Sequence, residues 1–354
     1  MSRPLPVLAL AVSLAALLAT EAAAATAAPR YTIRWVLVHD HGDAVKQAAR
    51  AFAERVERET KGGIRVEILS RVEYGKRYKN GAAVGELALI QDLADGKIEA
   101  AQTYTNALAR YVPRLFVLGL PYLLRDYAHA ERVLDGPIGR ELLNGFHGLP
   151  VHPLAFTYSG GFGFFAADRE LRDPGLLRGM MLQMMRGRIS LGIANLLSFE
   201  FLAGPPEAYA PLAEHGLAQG LESTYSCFVG YGDERYAKVI TNTSHFLLTT
   251  MVVMNASFFD RLPSDYRKIV EQAAIDAARQ ERRDSIALND TLRHQLEGRG
   301  IRVVDLTPEE KRRYEERLAP IYSSGWISAP ETDLIRRIRL AGEHNSLSEK
   351  TEPR

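Results

Sequence analysis

Three stretches of the chain carry side chains whose types and spacing could do chemistry. Residues 39–41 are HDH. A His-x-His pair at a strand end is a metal signature of metal-dependent hydrolases. His39 and His41 would then need further ligands, and His152 and Asp168 can be proposed, although no spacing ties them to the pair. Residues 70–86, SRVEYGKRYKNGAAVGE, are rich in Gly and Lys. They lack the G-x-x-x-x-G-K-[ST] spacing with which a loop cradles phosphate. Residues 176–188, LLRGMMLQMMRGR, hold four of the chain's seven methionines in six positions around Gln183. Met is unbranched and polarizable, and it recurs on surfaces that accept irregular apolar ligands. The single cysteine, Cys227, excludes an intramolecular disulfide and is expected as a small buried apolar residue.

Composition narrows the function classes. Lys plus Arg number 44 and Asp plus Glu 43, so no charge excess points to nucleic acid or an anionic surface. The first 28 residues combine Arg3, an apolar run from Leu5 to Leu18 and small-x-small sites from Ala22 to Ala28. This is the pattern of a secretory signal peptide, and the run is too short to span a bilayer. No Cys near the cleavage region offers a lipid anchor. The remaining roughly 325 residues exceed what one core usually organises, which points to two lobes.

The elements that must position these residues follow from periodicity. YTIRWVLVHD (31–40) is a strand candidate, followed by a helix from Asp43 that Gly62-Gly63 ends. IRVEIL (64–69), a helix over 85–97 and IEAAQTY (98–104) complete a β-α-β-α-β pattern, the signature of a parallel sheet with helices on its faces. PVHPLAFTY (150–158), GFGFFAAD (161–168), GMMLQMM (179–185) and AQGLEST (218–224) are further strands. Residues 243–259 form a long buried strand candidate, 263–300 one long helix and 307–322 another helix. On the strand at 179–185, alternation puts Gln183 on one face with Met181 or Met185, and Met180, Leu182 and Met184 on the other. One of those faces must pack the core.

Several of these stretches resemble one family, the solute receptors of tripartite ATP-independent periplasmic (TRAP) transporters. ETKGGIRVEIL resembles its helix-to-strand passage, and LGLPYLLRDYAHAERVLDGPIGRELL (118–143) its LPFLF segment with the helix that follows. LAEHGLAQGLEST (212–224) is similar to its ALqtGvvDGqEn turn and NTSHFL (242–247) to its T-x-H strand entry. The order holds over nearly all the chain after residue 28. The resemblance implies an α/β, two-lobe periplasmic binding protein fold of type II-like design with a long bridging C-terminal helix. The expected division is 1–28 signal peptide, 29–160 and 249–280 lobe I, 161–248 and 281–340 lobe II with the bridging helix, and 341–354 a flexible tail.

The resemblance also implies a carboxylate-binding arginine in a pattern like GlKiRvp, and that position is Gln183 here. A second family arginine falls on Gly163, the family asparagine on Ser223 and the family aspartate on Gln219. Burying a carboxylate without a cation costs several kcal/mol, and glutamine does not offset it as an arginine fork does. The expected ligand is therefore small and neutral or apolar-bodied, touching Tyr104, Phe156, Tyr158, Phe165, Gln183 and Ser223, with Glu86 and His41 nearby. The alternative is a carboxylate held by relocated arginines, Arg186 or Arg188. Rivals of other classes are a hydrolase using His39 and His41 and a periplasmic lipid carrier. The expected protein is a periplasmic, monomeric receptor with no catalytic residues, metal or cofactor. It would not be embedded in the membrane, would bind no nucleic acid, and would have TRAP-type permease subunits as partners.

Overall fold

The structure is a computed structural model that describes residues 29–37 and 43–342. HDH at 39–41 and the leader at 1–28 lie outside the described residues, as does the tail from 343.

Strands β1 (Tyr31–Leu37), β2 (Ile64–Ser70) and β3 (Ala100–Tyr104) pair in parallel in the order β2-β1-β3. Helices α1 (Asp43–Glu59), α2 (Arg71–Tyr78) and α3 (Glu86–Ala94) connect them. The expected parallel pattern is present, and α2 is an addition to it. Ser70 and Glu73 form a reciprocal capping box at the start of α2. That S-x-x-E spacing lies within the Gly- and Lys-rich stretch 70–86. A short helix α4 (Thr105–Leu108) follows β3, and helices α5 (Tyr127–Asp135) and α6 (Pro137–Asn144) precede β4 (Val151–Phe162). Strand β10 (Leu247–Asn255) inserts antiparallel between β3 and β4 and completes this first sheet. The strand expected over 243–259 ends earlier, where Asn255 caps helix α10 (Ala256–Arg261) through its side chain.

The second sheet has the order β11-β9-β5-β8-β6-β7. It contains β5 (Phe164–Ala167), β6 (Met181–Met184), β7 (Glu200–Ala203), β8 (Gly220–Ser223), β9 (Val239–Asn242) and β11 (Arg302–Asp305), with helices α7 (Arg188–Leu197), α8 (Tyr209–Glu214) and α9 (Tyr225–Tyr231). The chain crosses between sheets where β4 passes into β5 through Gly163, and again from β9 to β10. Helix α11 (Ser264–Gly298) packs on α1 and β4 at one end and on α9 and β11 at the other, so it spans both lobes. Helix α12 (Pro308–Leu318) packs on α7 in lobe II, while α13 (Ala329–Ala341) lies against α5 and α6 in lobe I. The expected lobe II segment 281–340 therefore sends its last helix back across the seam.

The period-2 alternation of β1 divides the first lobe's core. Ile33, Trp35 and Leu37 pack toward α1 and α11, with Trp35 edge-on to Phe52 at 4.8 Å. Val36 faces the other side, joining Met251 and Val253 in a cluster that continues into lobe II through Phe165, Leu182 and Met184. One apolar core thus runs beneath the cleft and ties the lobes together.

Candidate functional site

A cleft lies between the lobes, in the crevice beyond the strand ends, the usual ligand position in open α/β sheets. It has two connected chambers of about 320 Å³ and about 700 Å³. Asn106, Arg110, Met185 and Arg186 border both.

The smaller chamber takes shape at the end of β6. Met185, Arg186 and Gly187 leave the strand and open directly into α7, so Arg188, Ile189 and Ser190 of its first turn line the wall. No side chain caps this helix start. The free N–H groups of an uncapped first turn favour negative charge nearby. The Arg188 guanidinium lies 4.8 Å from the Phe116 ring centroid and 5.8 Å from that of Trp326, so two aromatic rings, one of them from lobe I, hold a lobe II cation. Arg110, Arg186 and Arg188 form no ion pair with a described carboxylate. Across the chamber stand Phe246, Leu247, Leu248 and the Glu222 carboxylate. His245 Nε2 lies 2.8 Å from Glu222 Oε1 and its Nδ1 lies 2.7 Å from Thr243 Oγ1.

The larger chamber is bounded by Glu86, Leu87 and Tyr104 of lobe I and by 203–207 of lobe II. Glu86 Oε1 accepts from Thr103 Oγ1 at 2.6 Å and from the Tyr104 N–H at 3.1 Å. Burial raises the Glu86 pKa above the ordinary carboxylate value, and these two hydrogen bonds oppose the rise. At the rim, Arg71 Nη2 of lobe I meets Glu207 Oε1 of lobe II at 3.3 Å.

The named site residues divide sharply. Glu86 and Tyr104 line the cleft, as do the alternative arginines Arg186 and Arg188. Gln183 is 1 % exposed and points away from the ligand space. Its Nε2 donates to the Gly204 carbonyl at 3.2 Å and the Pro205 carbonyl at 3.0 Å, so it braces the wall from behind. Phe156, Tyr158, Phe165 and Ser223 are buried and line neither chamber. Phe165 stacks on His245 at 4.5 Å, and Tyr158 lies beneath the Arg282 guanidinium. His41 lies outside the described residues. Met180 and Met184 face the core together with Leu182, as alternation requires, and Met185 faces the cleft. Arg71, Arg110, Asn106 and Glu222 were missed as cleft residues. Arg71 and Asn106 stand in the first turns of short helices, Arg110 in the turn after one and Glu222 near the end of a strand, where periodicity carries little signal about direction.

Gly163 explains its own departure from the arginine pattern. A Cβ there would fall 1.9 Å from the Phe246 ring, so Phe246 fills the space that a longer residue at 163 would need. Among the described residues, no group of three or more His, Cys, Asp or Glu is placed to hold a metal, and no helix is long and apolar enough to cross a membrane.

Known proteins share this arrangement. The model of bacterial extracellular solute-binding protein family 7 matches residues 37–328. A solute-binding protein of Verminephrobacter eiseniae is 30% identical over 309 residues, covering 84% of this chain and 85% of the relative. The C4-dicarboxylate-binding protein DctB of Bacillus subtilis is 23% identical over 281 residues, covering 78% and 76%. The fold superposes on a TRAP periplasmic solute-binding protein of Xanthobacter autotrophicus with bound β-D-galacturonate at a TM-score of 0.78, with 22% identity and coverage of 87% and 99%. It superposes equally on one of Sulfurospirillum deleyianum with bound succinate, at a TM-score of 0.78, 22% identity and coverage of 88% and 99%. Two α/β lobes, a bridging helix, a cleft between them and a family match over most of the chain lead to one conclusion: the chain belongs to family 7 of the bacterial extracellular solute-binding proteins and is a TRAP-type solute receptor, a binding protein rather than an enzyme.

Proposed function

We propose that this receptor takes a small carboxylate with an apolar body, gripping the acid with Arg186 and Arg188 in place of the strand arginine. The observation that carries the reading is the position of Arg186. It borders both chambers and pairs with no described carboxylate, while Gln183 at the family's arginine position is committed to two backbone carbonyls. A guanidinium fork offsets the cost of desolvating a carboxylate, and Arg188 stacked on Phe116 keeps its charge in place without a counter-ion. Met185, Ile189 and Phe246 offer the apolar body its contact. Relatives and structural neighbours named for C4-dicarboxylates, galacturonate and succinate point the same way. The neutral ligand implied by Gln183 alone is the weaker reading, because the arginine function has moved three residues along rather than disappeared.

The mechanism is domain closure. A ligand that touches Arg186 and Arg188 on one lobe and Asn106 and Arg110 on the other favours the closed state, which membrane permease subunits of the periplasmic TRAP system then recognise. The test is native mass spectrometry of the purified protein, extraction of the co-purified ligand, and calorimetry of that ligand with R186A and R188A variants. A carboxylate whose affinity falls more than tenfold in R186A, about 1.4 kcal/mol, supports the reading. A ligand without an acidic group, or unchanged affinity in both variants, sinks it.

A further inference from the structure

A second cavity, of about 580 Å³, opens on the seam between the lobes, apart from the ligand cleft. Lobe I supplies Tyr122 and Arg125 from the segment before α5, and Arg339 from the last turn of α13. Lobe II supplies Lys311 and Glu315 of α12 and Tyr322 just after it. We propose that this seam binds a phosphate or sulfate group, free or carried on a small organic body, and that the bound anion bridges the two lobes.

Charge is the first argument. Arg125, Lys311 and Arg339 face one cavity, and none forms an ion pair with a described carboxylate. Elsewhere Arg172, Arg293, Arg312 and Arg337 each hold at least one carboxylate. Among the described residues of the lining, Glu315 is the one carboxylate, which leaves the positive charge in excess. Clustered cations with low-dielectric walls focus a field that an anion relieves. The second argument is placement. The Arg339 guanidinium lies 4.2 Å from the Tyr322 ring centroid and the Lys311 ammonium 5.7 Å from that of Tyr122. Ring faces thus hold two of the cations in position. Tyr322 is itself fixed, donating its hydroxyl to the Pro121 carbonyl at 2.5 Å across the seam. Arg125 packs so closely on Gly342 that a Cβ there would fall 1.7 Å from its guanidinium.

The third argument is strain. Tyr122 has φ +59°, a left-handed conformation that is strained for a non-glycine residue. It is held there by its N–H, which donates to the His245 carbonyl at 2.8 Å, and by its hydroxyl, which donates to the Thr243 carbonyl at 3.2 Å. Both acceptors belong to the crossing between β9 and β10, whose next residues, Phe246 and Leu247, line the ligand cleft. Tyr122 of the seam cavity is therefore hydrogen-bonded to the residues that lead directly into a wall of the cleft. An anion gripped by Arg125 and Arg339 of lobe I and Lys311 of lobe II would stabilise the lobes in this relative position.

The experiment follows the thermal midpoint of the full chain in inorganic phosphate, then in phenyl phosphate, at constant ionic strength set with chloride. The expected result is a saturable rise with phosphate. It should be retained in an R186Q/R188Q cleft variant and lost in R125Q/R339Q. Should R125Q/R339Q fail to fold, K311Q replaces it and should raise the half-saturating concentration at least tenfold. Tighter action of phenyl phosphate would assign the site to a carried anion, and equal action to a free one. No saturable rise in the wild type, a rise that survives R125Q/R339Q or K311Q unchanged, or one that disappears with the cleft arginines would overturn the proposal.

Discussion

Four methionines around one glutamine separate into two jobs that differ by a single step of the pleat. Met184 is fully buried beneath the cleft and Met185 stands in it. Met184→Ala should therefore cost roughly 2–5 kcal/mol of stability with little change in affinity. Met185→Ala should do the reverse, and denaturant unfolding beside ligand titration separates the two. Gln183→Leu should loosen the 203–207 wall, because the Gly204 and Pro205 carbonyls lose their common donor; the expected cost is about 1–3 kcal/mol in urea unfolding. Alternation made the core face of this strand legible in the sequence. The destination of the Gln183 amide was not, since its partners lie some twenty residues on, in a turn whose path only the tertiary structure sets. Nor could the sequence reveal that Phe246 occupies the space beside Gly163. Aligned with the family, 163 and 183 are missing arginines; in three dimensions they are a filled space and a brace.

At the scale of elements, the long helix was the plainest feature of the sequence, expected over 263–300 and found over Ser264–Gly298. The short strands β7, β9 and β11 were not read as strands, whereas the equally short β5, β6 and β8 were. The middle of α11 carries an ionisable group into the core. Glu281 is 1 % exposed, and its Oε1 accepts from Gln102 Nε2 of β3 at 2.7 Å. Burial pushes its pKa up to about 8, against the lowering effect of the hydrogen bonds from Gln102 and Thr157. Between the ordinary value of 4.5 and about 8, the folded state holds a proton that the unfolded chain has released. Stability should therefore fall as pH rises through that window. Asp233, also buried and raised to about 8, contributes with the same sign. Thermal midpoints measured from pH 5 to 8 should decline in the wild type and decline less in E281Q. An unchanged slope in that variant would remove Glu281 from the account.

For the whole molecule, the question is what holds the lobes at this separation. Arg71 and Glu207 meet across the rim of the larger chamber, and Arg188 reaches from lobe II to the aromatic rings of Phe116 and Trp326. Exposed pairs of the first kind are worth about 0–1 kcal/mol, enough to bias a two-state opening without locking it. E207Q should therefore enlarge the ligand-free radius of gyration in small-angle scattering and weaken ligand binding by no more than about fivefold. The two-lobe layout was readable from the element order, whereas the return of α13 to lobe I was not, because a helix's amphipathic stripe names no partner. The insertion of β10 between β3 and β4 has a further effect, on the order of folding. The first sheet is begun by the strand at Tyr31–Leu37 and cannot close until Leu247–Asn255 has emerged, by which point nearly all of the second sheet has been made. Neither half of the chain contains a finished lobe, and contacts this distant in sequence form slowly. A chain ending at residue 246 should show no cooperative unfolding transition, having every strand of lobe I except the one that joins β3 to β4. Such late completion delays the compact state relative to a lobe that one half of the chain could close by itself.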